Sequence, residues 1–375
     1  MRILITAVSR FTRPTGICKH AASLARALGT VRGIERVTLL IGPWQVKYFD
    51  EAFGATSFPK VSIVPAALDN SSLDRNRWYL ANLPQVARRD HFDIVHLSFP
   101  APVIARAVKS AVVTTLHDLY PYDCAQNFGF PQCYLNRAVL RMCMANTAGV
   151  ICVSDATMRR AEAIFGTAFV QKRRQTIYNV VDLSSHTPIR PPFIERDRPF
   201  LLTVGQHRKN KNLDVLIRAF SQLLHKHHVA SYIRLVIVGS PGPETERLRS
   251  LVLTERLADN VLFGTSLQEE NLRWLYAKCD LFVVASAVEG FCIPLVEARQ
   301  LAGRIVCSDI PVLREFAGSR CAFFSLGGDA ERNLFVSIIA SLSREASVPE
   351  GAMAEFSPEC VGAQVADFYA SVLGS

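Results

Sequence analysis

The sequence predicts an α/β protein of two domains, each a doubly wound parallel sheet with helices on both faces. Three observations carry this expectation. Short apolar, β-branched runs alternate with helical patterns along nearly the whole chain, as strands buried on both faces of a parallel sheet require. The alternation halts once, between 179 and 199, in a stretch with four prolines and no period, and then restarts. At 375 residues the chain also exceeds what one hydrophobic core usually serves.

In chain order, Arg2 to Ala7 reads as the first strand, its apolar part too short for a signal peptide. Ile17, Ala21, Leu24, Ala25 and Leu28 then recur at helical spacing, so Ser9 to Gly16 is a strand-to-helix loop ending in glycine. Further strands are expected at 37–41, 61–64, 93–97, 112–116 and 150–153. After the proline-rich stretch, strands are expected at 200–204, 233–238, 261–263, 281–285 and 305–308, with a helix from about Leu213 to Leu224. The implied organisation is a first domain over 1–185, a linker over 186–199 and a second domain over 200–355. Two such sheets in series imply a central cleft facing their carboxyl edges.

Composition narrows the classes of function. No apolar run approaches the ~18 residues that span a bilayer. No G-x-G-x-x-G follows the first strand, which disfavours a nicotinamide dinucleotide domain. The ten cysteines form no C-x-x-C pair, so reduced thiols in a cytoplasmic protein are expected rather than a zinc site. Net charge is +9, and it is one-sided. Residues 1–185 carry 22 Lys and Arg against 12 Asp and Glu, whereas 186–375 carry 20 against 21. A basic first half suits an anionic partner such as a membrane surface or a lipid-linked phosphate, or is solvated charge that aids solubility. RNA-module signatures are absent, and no nucleic-acid partner is expected.

The segment richest in chemistry is Glu289 to Glu297, E-G-F-C-I-P-L-V-E, lying between the apolar run Leu281–Ala285 and a helical pattern. Pro294 suits a first helical turn. A strand, a tight turn and a helix N-terminus make a site for an anion, with phosphate the commonest taker. Glu289 and Glu297 flank that site, and a carboxylate can accept from two vicinal hydroxyls of a sugar or ribose. In the loop after the strand at 200–204, Arg208, Lys209 and Lys211 put three cations before a helix, as a diphosphate requires, or as a merely solvated loop would show. His117 and Asp118 follow the strand at 112–116. The histidine suits a hydroxyl contact, a proton shuttle or a structural role, and the aspartate suits a helix cap or a partner for His117. No D-x-D occurs, so a metal-bridged diphosphate has no evident protein ligands.

These residues resemble the E-x7-E motif of the retaining family 4 glycosyltransferases of the GT-B fold. The likeness extends to V-I-V-G at 236–239, C-D-L-F-V-V-A-S at 279–286 and S-D-I-P-V-L-R-E-F-A-G at 308–318. F-S-P-E at 356–359 is similar to the start of that family's closing helix, expected over 356–375 and packed on the first domain. In the first half Gly16, H-D-L-Y-P, V-S-D at 153–155 and N-V-V-D at 179–182 correspond.

The resemblance implies a retaining hexosyltransferase that moves a sugar from a nucleotide-diphosphate donor to an acceptor hydroxyl, in polysaccharide, lipopolysaccharide or other glycoconjugate assembly. It needs no cofactor and no divalent metal. By the same resemblance Glu289 faces the transferred sugar, Glu297 holds the donor ribose, and Arg208 and Lys211 stabilise the leaving diphosphate. The backbone of Phe291, Cys292 and Ile293 meets sugar hydroxyls and phosphate. Gly16 lets its loop approach the donor, and His117 contacts the sugar. Cys292 departs from the family, which usually has glycine there. A non-catalytic sugar-nucleotide-binding subunit and a nucleotide-sugar epimerase of the same fold are the alternatives. Expected partners are the donor and an anionic or lipid-linked glycan acceptor, in the cytoplasm, with contact to the inner face of its membrane. For that contact Tyr134 to Ala145 has an amphipathic pattern, which suits core packing equally.

Overall fold

In a computed structural model, which describes residues 1–10, 15–53, 58–183, 187–195, 198–265 and 267–374, the chain divides into two compact units. Met1–Val180 together with Ala354–Ser375 form one, and Val181–Met353 the other. The prolines of 186–199 therefore belong to the second unit. Bonds hold this stretch and the residues before it there: Ile189 N donates to Glu270 O at 3.1 Å, Asn271 Nδ2 to Ile189 O at 2.9 Å, Gln300 Nε2 to Val181 O at 3.1 Å, and Arg273 to Leu183 O.

The first unit holds a seven-stranded sheet of β1 (Arg2–Thr6), β2 (Arg36–Ile41), β3 (Val61–Pro65), β4 (Ile94–Leu97), β5 (Ala111–Leu116), β6 (Gly149–Cys152) and β7 (Arg173–Thr176). Their spatial order is β3-β2-β1-β4-β5-β6-β7, and every pairing is parallel. The second holds β8 (Phe200–Val204), β9 (Arg234–Val238), β10 (Val261–Gly264), β11 (Leu281–Val284), β12 (Ile305–Ser308) and β13 (Cys321–Phe324). Their order is β10-β9-β8-β11-β12-β13, again all parallel.

Both sheets are doubly wound, as the alternation predicts. β7 and β13 lie outside that expectation, and both are edge strands. β7 reads Arg-Arg-Gln-Thr, a polar edge that discourages pairing with another chain and gives no apolar signal.

The winding has a consequence for chemistry. Strand order reverses between β1 and β4 and between β8 and β11, and ligands of such sheets bind outside the carboxyl ends at that switch point. The loops after β8 and β11 are the two basic and acidic segments singled out above.

Apolar layers cover both faces of the first sheet. On one, the helix Gly16–Thr30 buries Ala21, Leu24, Ala25 and Leu28 against β1 and β2, and the closing helix Pro358–Leu373 buries Val361, Val365, Phe368 and Tyr369 beside it. Gly362 permits this packing, since a Cβ there would lie 3.0 Å from Ala27 O. Ser357 caps the closing helix by accepting from Cys360 N at 3.2 Å. Tyr369 also fixes it to the sheet, its hydroxyl 2.7 Å from His96 Nδ1, while His96 Nε2 lies 2.9 Å from Thr115 Oγ1. Burial drives His96 down to about 3, so the ring stays neutral at physiological pH. Among the described residues no helix is long and apolar enough to cross a membrane.

Candidate active site

The second unit builds its site where β8 and β11 lie side by side. The chain leaves β8 at Gly205, makes a single 3-10 turn at Lys209–Lys211, passes Asn212 in the left-handed region at φ 47° and enters the helix Leu213–His225. Asparagine tolerates that conformation better than most residues.

Two side-chain amides then brace the neighbouring loop. Asn210 Nδ2 donates to Val288 O at 3.2 Å, and Asn212 Nδ2 donates to Ala285 O at 3.0 Å. Ala287 N returns a bond to Asn210 O at 2.8 Å. The loop from Ala285 to Glu289 is thus held by the loop carrying the cations. Ser308 Oγ, at the end of β12, supports it from the other side through Ser286 O.

This bracing brings Lys211 and Glu289 together. Lys211 Nζ lies 2.5 Å from Glu289 Oε1, and the two side chains are 18% and 6% exposed. Burial alone lowers a lysine, but the Glu289 carboxylate outweighs it and raises Lys211, so the ammonium stays charged. Arg208 acts on Lys211 as a second nearby cation. Its buried Nε has no hydrogen-bond partner among the described residues. A second cation lies near the Lys211–Glu289 pair, and its buried guanidinium N–H awaits an acceptor. An anion satisfies both conditions.

The turn after Glu289 leads into the helix Ile293–Leu301, with Pro294 in its first turn. Phe291 is buried and its ring packs on Phe316 at 4.4 Å between centroids, so only its backbone can face a ligand. Cys292 caps the helix in the left-handed region, φ 67° and ψ 65°, with no side-chain cap bond. That conformation explains why glycine is usual here in the resembling family: a Cβ is strained at such a φ, and Cys292 carries one. Its thiol is raised by burial first and by Glu289 next, and is therefore neutral. On the following turns Glu297 is 6% exposed, with Tyr276 Oη donating to its Oε2 at 2.7 Å.

Behind the cations, His207 is 1% exposed, its Nδ1 3.0 Å from Thr245 Oγ1. Thr245 Oγ1 in turn accepts from Gly242 N at 2.8 Å. The loop after β9 packs so tightly here that a Cβ at Gly242 would lie 2.4 Å from His207 O.

In the first unit, His117 leaves β5 with Nε2 2.9 Å from Ser98 O. A carbonyl only accepts, so Nε2 carries the proton and Nδ1 is the acceptor of the neutral ring. Burial, partly offset by the Ser98 carbonyl, takes His117 down to about 4. His20 meets the ring edge-on at 4.6 Å and is itself lowered well below the usual imidazole value, by burial first and His117 next. Asp118 Oδ1 accepts from Tyr120 N at 3.0 Å, but the residue that caps the short helix Tyr120–Asp123 is Leu119. Gly16 begins its helix, and a Cβ there would meet nothing within 4 Å, so packing against the described residues does not demand glycine. Most of the loop before it lies outside the described residues.

Sequence reasoning finds the charged residues of the site and misses Asn210, Asn212, Tyr276 and His207. Asparagines flanking Lys211 give no signal, because what they bond to is backbone elsewhere in the chain. Among the described residues no three His, Cys, Asp or Glu side chains converge as a metal site would require.

Comparisons with known proteins give the family and the fold. The family model described as Glycosyltransferase Family 4 matches residues 14–185, and that described as Glycosyl transferases group 1 matches residues 187–321. A Campylobacter jejuni N-acetylgalactosaminyltransferase acting on a diphospho-undecaprenol-linked sugar is 32% identical over 44% of this chain, and the match spans 41% of that enzyme's length. The O-antigen chain mannosyltransferase B of Escherichia coli is 24% identical over 81% of each chain. Among solved structures, Anabaena HepE in complex with UDP and glucose superposes with a TM-score of 0.69 at 19% identity, covering 99% of this chain and 100% of that one.

Proposed function

Because the chain belongs to the GT-B glycosyltransferases of the group 1 and family 4 type, we propose that it moves a hexose from a nucleotide-diphosphate sugar to an acceptor hydroxyl with retention of anomeric configuration and without a metal. The observation that carries this reading is the pairing of Lys211 with the buried Glu289 carboxylate after β8 and β11, beside Arg208 with its unpartnered buried Nε.

In the proposed reaction the donor diphosphate binds Arg208 and Lys211 and the backbone at the start of the helix Ile293–Leu301. Those groups stabilise the charge that builds as the bond to the sugar breaks. Glu289 steadies the sugar, the backbone of Phe291, Cys292 and Ile293 meets its hydroxyls, and Glu297 holds the ribose. His117, neutral with an acceptor Nδ1, takes a hydrogen bond from a sugar hydroxyl, and Gly16 leaves room for the ligand. The acceptor oxygen attacks from the face the diphosphate leaves, and the leaving phosphate oxygen takes its proton. No second carboxylate is then required as nucleophile.

The acceptor class follows from charge and from the relatives' names. A basic first half suits a glycan carried on a lipid diphosphate, and the Campylobacter relative is named for such an acceptor. The reading places the protein in glycoconjugate assembly, in the cytoplasm at the inner face of the membrane.

The helix Gln132–Asn146 supplies the contact. It buries Cys133, Leu140, Cys143 and Met144 in the core, yet leaves Tyr134 and Leu135 exposed at 62% and 55% beside Phe130 at 87%. Arg137 and Arg141 follow on the same helix. Aromatic side chains at the water boundary with arginines behind them suit an anionic bilayer surface. Vesicles of anionic lipid should bind the protein, neutral vesicles should not, and raising salt should weaken the binding. Absence of anionic vesicle binding at low salt would end this part of the reading.

A thermal-shift screen across nucleotide sugars with EDTA present tests the donor. At 100 times its dissociation constant the correct donor should stabilise the protein by ~2.7 kcal/mol. Turnover of the donor with no acceptor, to an isomer of the same nucleotide sugar, would instead indicate an epimerase. Donor binding without any turnover would indicate a binding subunit.

A further inference from the structure

Glu297 carries a demand that its place in the motif does not meet by itself. A glutamate side chain has three rotatable bonds, and a carboxylate accepts from two hydroxyls at once only in one orientation of its plane. In the structure Tyr276 holds one oxygen of that carboxylate. This residue lies on the helix Glu269–Lys278, and its hydroxyl donates to Glu297 Oε2 at 2.7 Å.

The tyrosine is fully buried, and its ring meets Phe282 of β11 edge-on at 5.2 Å. Burial first, and the Glu297 charge next, push its phenol well above the ordinary value, so it stays a donor at every working pH. A core position that needed only bulk would be filled as well by phenylalanine. The hydroxyl has one evident use, which is to fix the carboxylate.

We propose that Tyr276 is a positioning residue of the donor site, whose hydroxyl holds the Glu297 carboxylate in the orientation that accepts both hydroxyls of the donor ribose. This inference rests on Glu297 as the ribose ligand.

The test uses the full chain and compares UDP with 2′,3′-dideoxy-UDP by calorimetric titration, or GDP and its dideoxy analogue if the donor screen selects a purine. Wild type should prefer the ribonucleotide by about tenfold or more, as loss of hydrogen bonds to a charged group implies. Tyr276→Phe should weaken the ribonucleotide roughly tenfold while the dideoxy analogue changes less than about twofold, so that the preference collapses. With the sugar donor, KM should rise and kcat stay near wild type, because the contact is made equally in ground and transition states.

Equal weakening of both nucleotides would overturn the proposal, since a loosened core does not discriminate between them. So would an unchanged preference in Tyr276→Phe alongside a collapsed one in Glu297→Gln. If Glu297→Gln keeps the preference, the ribose assignment itself is wrong and the role of Tyr276 falls with it. Sugar transfer dependent on Lys211 would survive that result.

Discussion

Lys211→Ala is expected to lower kcat by two to three orders of magnitude, with the loss of a preorganised charge at the leaving group as its main cause. The geometry makes the effect compound. Lys211 is also the partner of Glu289 at 2.5 Å, and the glutamate side chain is only 6% exposed. Removing the ammonium leaves a buried carboxylate uncompensated, which costs about 3–5 kcal/mol where it has been measured in other proteins. The variant should therefore unfold at lower urea as well as turn over slowly. Lys211→Ala with Glu289→Gln separates the two effects: the second change should restore stability, because no unpaired buried carboxylate remains, and should not restore turnover. Near-normal turnover in the single variant would remove Lys211 from the mechanism.

Gly239→Ala should be the most damaging single-methyl change in the second unit. The added carbon would lie 1.9 Å from Gly205 O and 2.6 Å from Gly205 C. Backbone cannot step aside as the end of a side chain can, so a cost of at least ~3 kcal/mol is expected. For a unit of this size that lowers the melting temperature by roughly 6–12 °C. The displaced residue is the first of the loop that carries Arg208 and Lys211, so donor binding should fail with the fold. Gly16→Ala is the matching control for stability, since nothing lies within 4 Å of its Cβ. Its melting should stay within about 0.5 kcal/mol of wild type. Similar melting of Gly239→Ala and wild type would contradict the close approach of the loops after β8 and β9.

Much of this architecture is legible in the sequence because parallel strands buried on both faces write themselves as apolar runs. β8, β11 and β12 are such runs, and each is found within a residue of its observed end. β7 is not legible: its Arg-Arg-Gln-Thr sequence serves a half-exposed edge and has no hydrophobic period to detect. The bounds of the second unit escape for a related reason. Prolines and charges at 186–199 read as linker, but Ile189 and Ile194 with their backbone bonds belong to a packed body.

At the site, charge is the readable property. Glu289, Arg208 and Lys211 stand out at strand ends because charges there need a reason. What the sequence does not display is which cation meets which carboxylate, since that follows from β8 and β11 being spatial neighbours 80 positions apart in register, Leu281 opposite Leu201. Asn210, Asn212 and Tyr276 are invisible for the same reason. Their partners are backbone carbonyls and a carboxylate brought near only by the winding of the sheet. The helix Gln132–Asn146 shows the limit of amphipathic patterns from another side. Its period suits a core face or a bilayer face, and the structure gives it a buried face together with exposed aromatic residues at its start.

The most direct test of the central claim is the anomeric configuration of the product formed in EDTA. The donor selected by the thermal screen is incubated with wild-type protein and an acceptor glycan on a lipid diphosphate, and the new glycosidic bond is assigned by NMR from its anomeric coupling. A product with the donor's configuration, formed at an undiminished rate without divalent metal and lost in Lys211→Ala, is the predicted result. An inverted product, or turnover that returns only when magnesium or manganese is restored, would contradict a retaining transfer whose leaving group is held by Arg208 and Lys211.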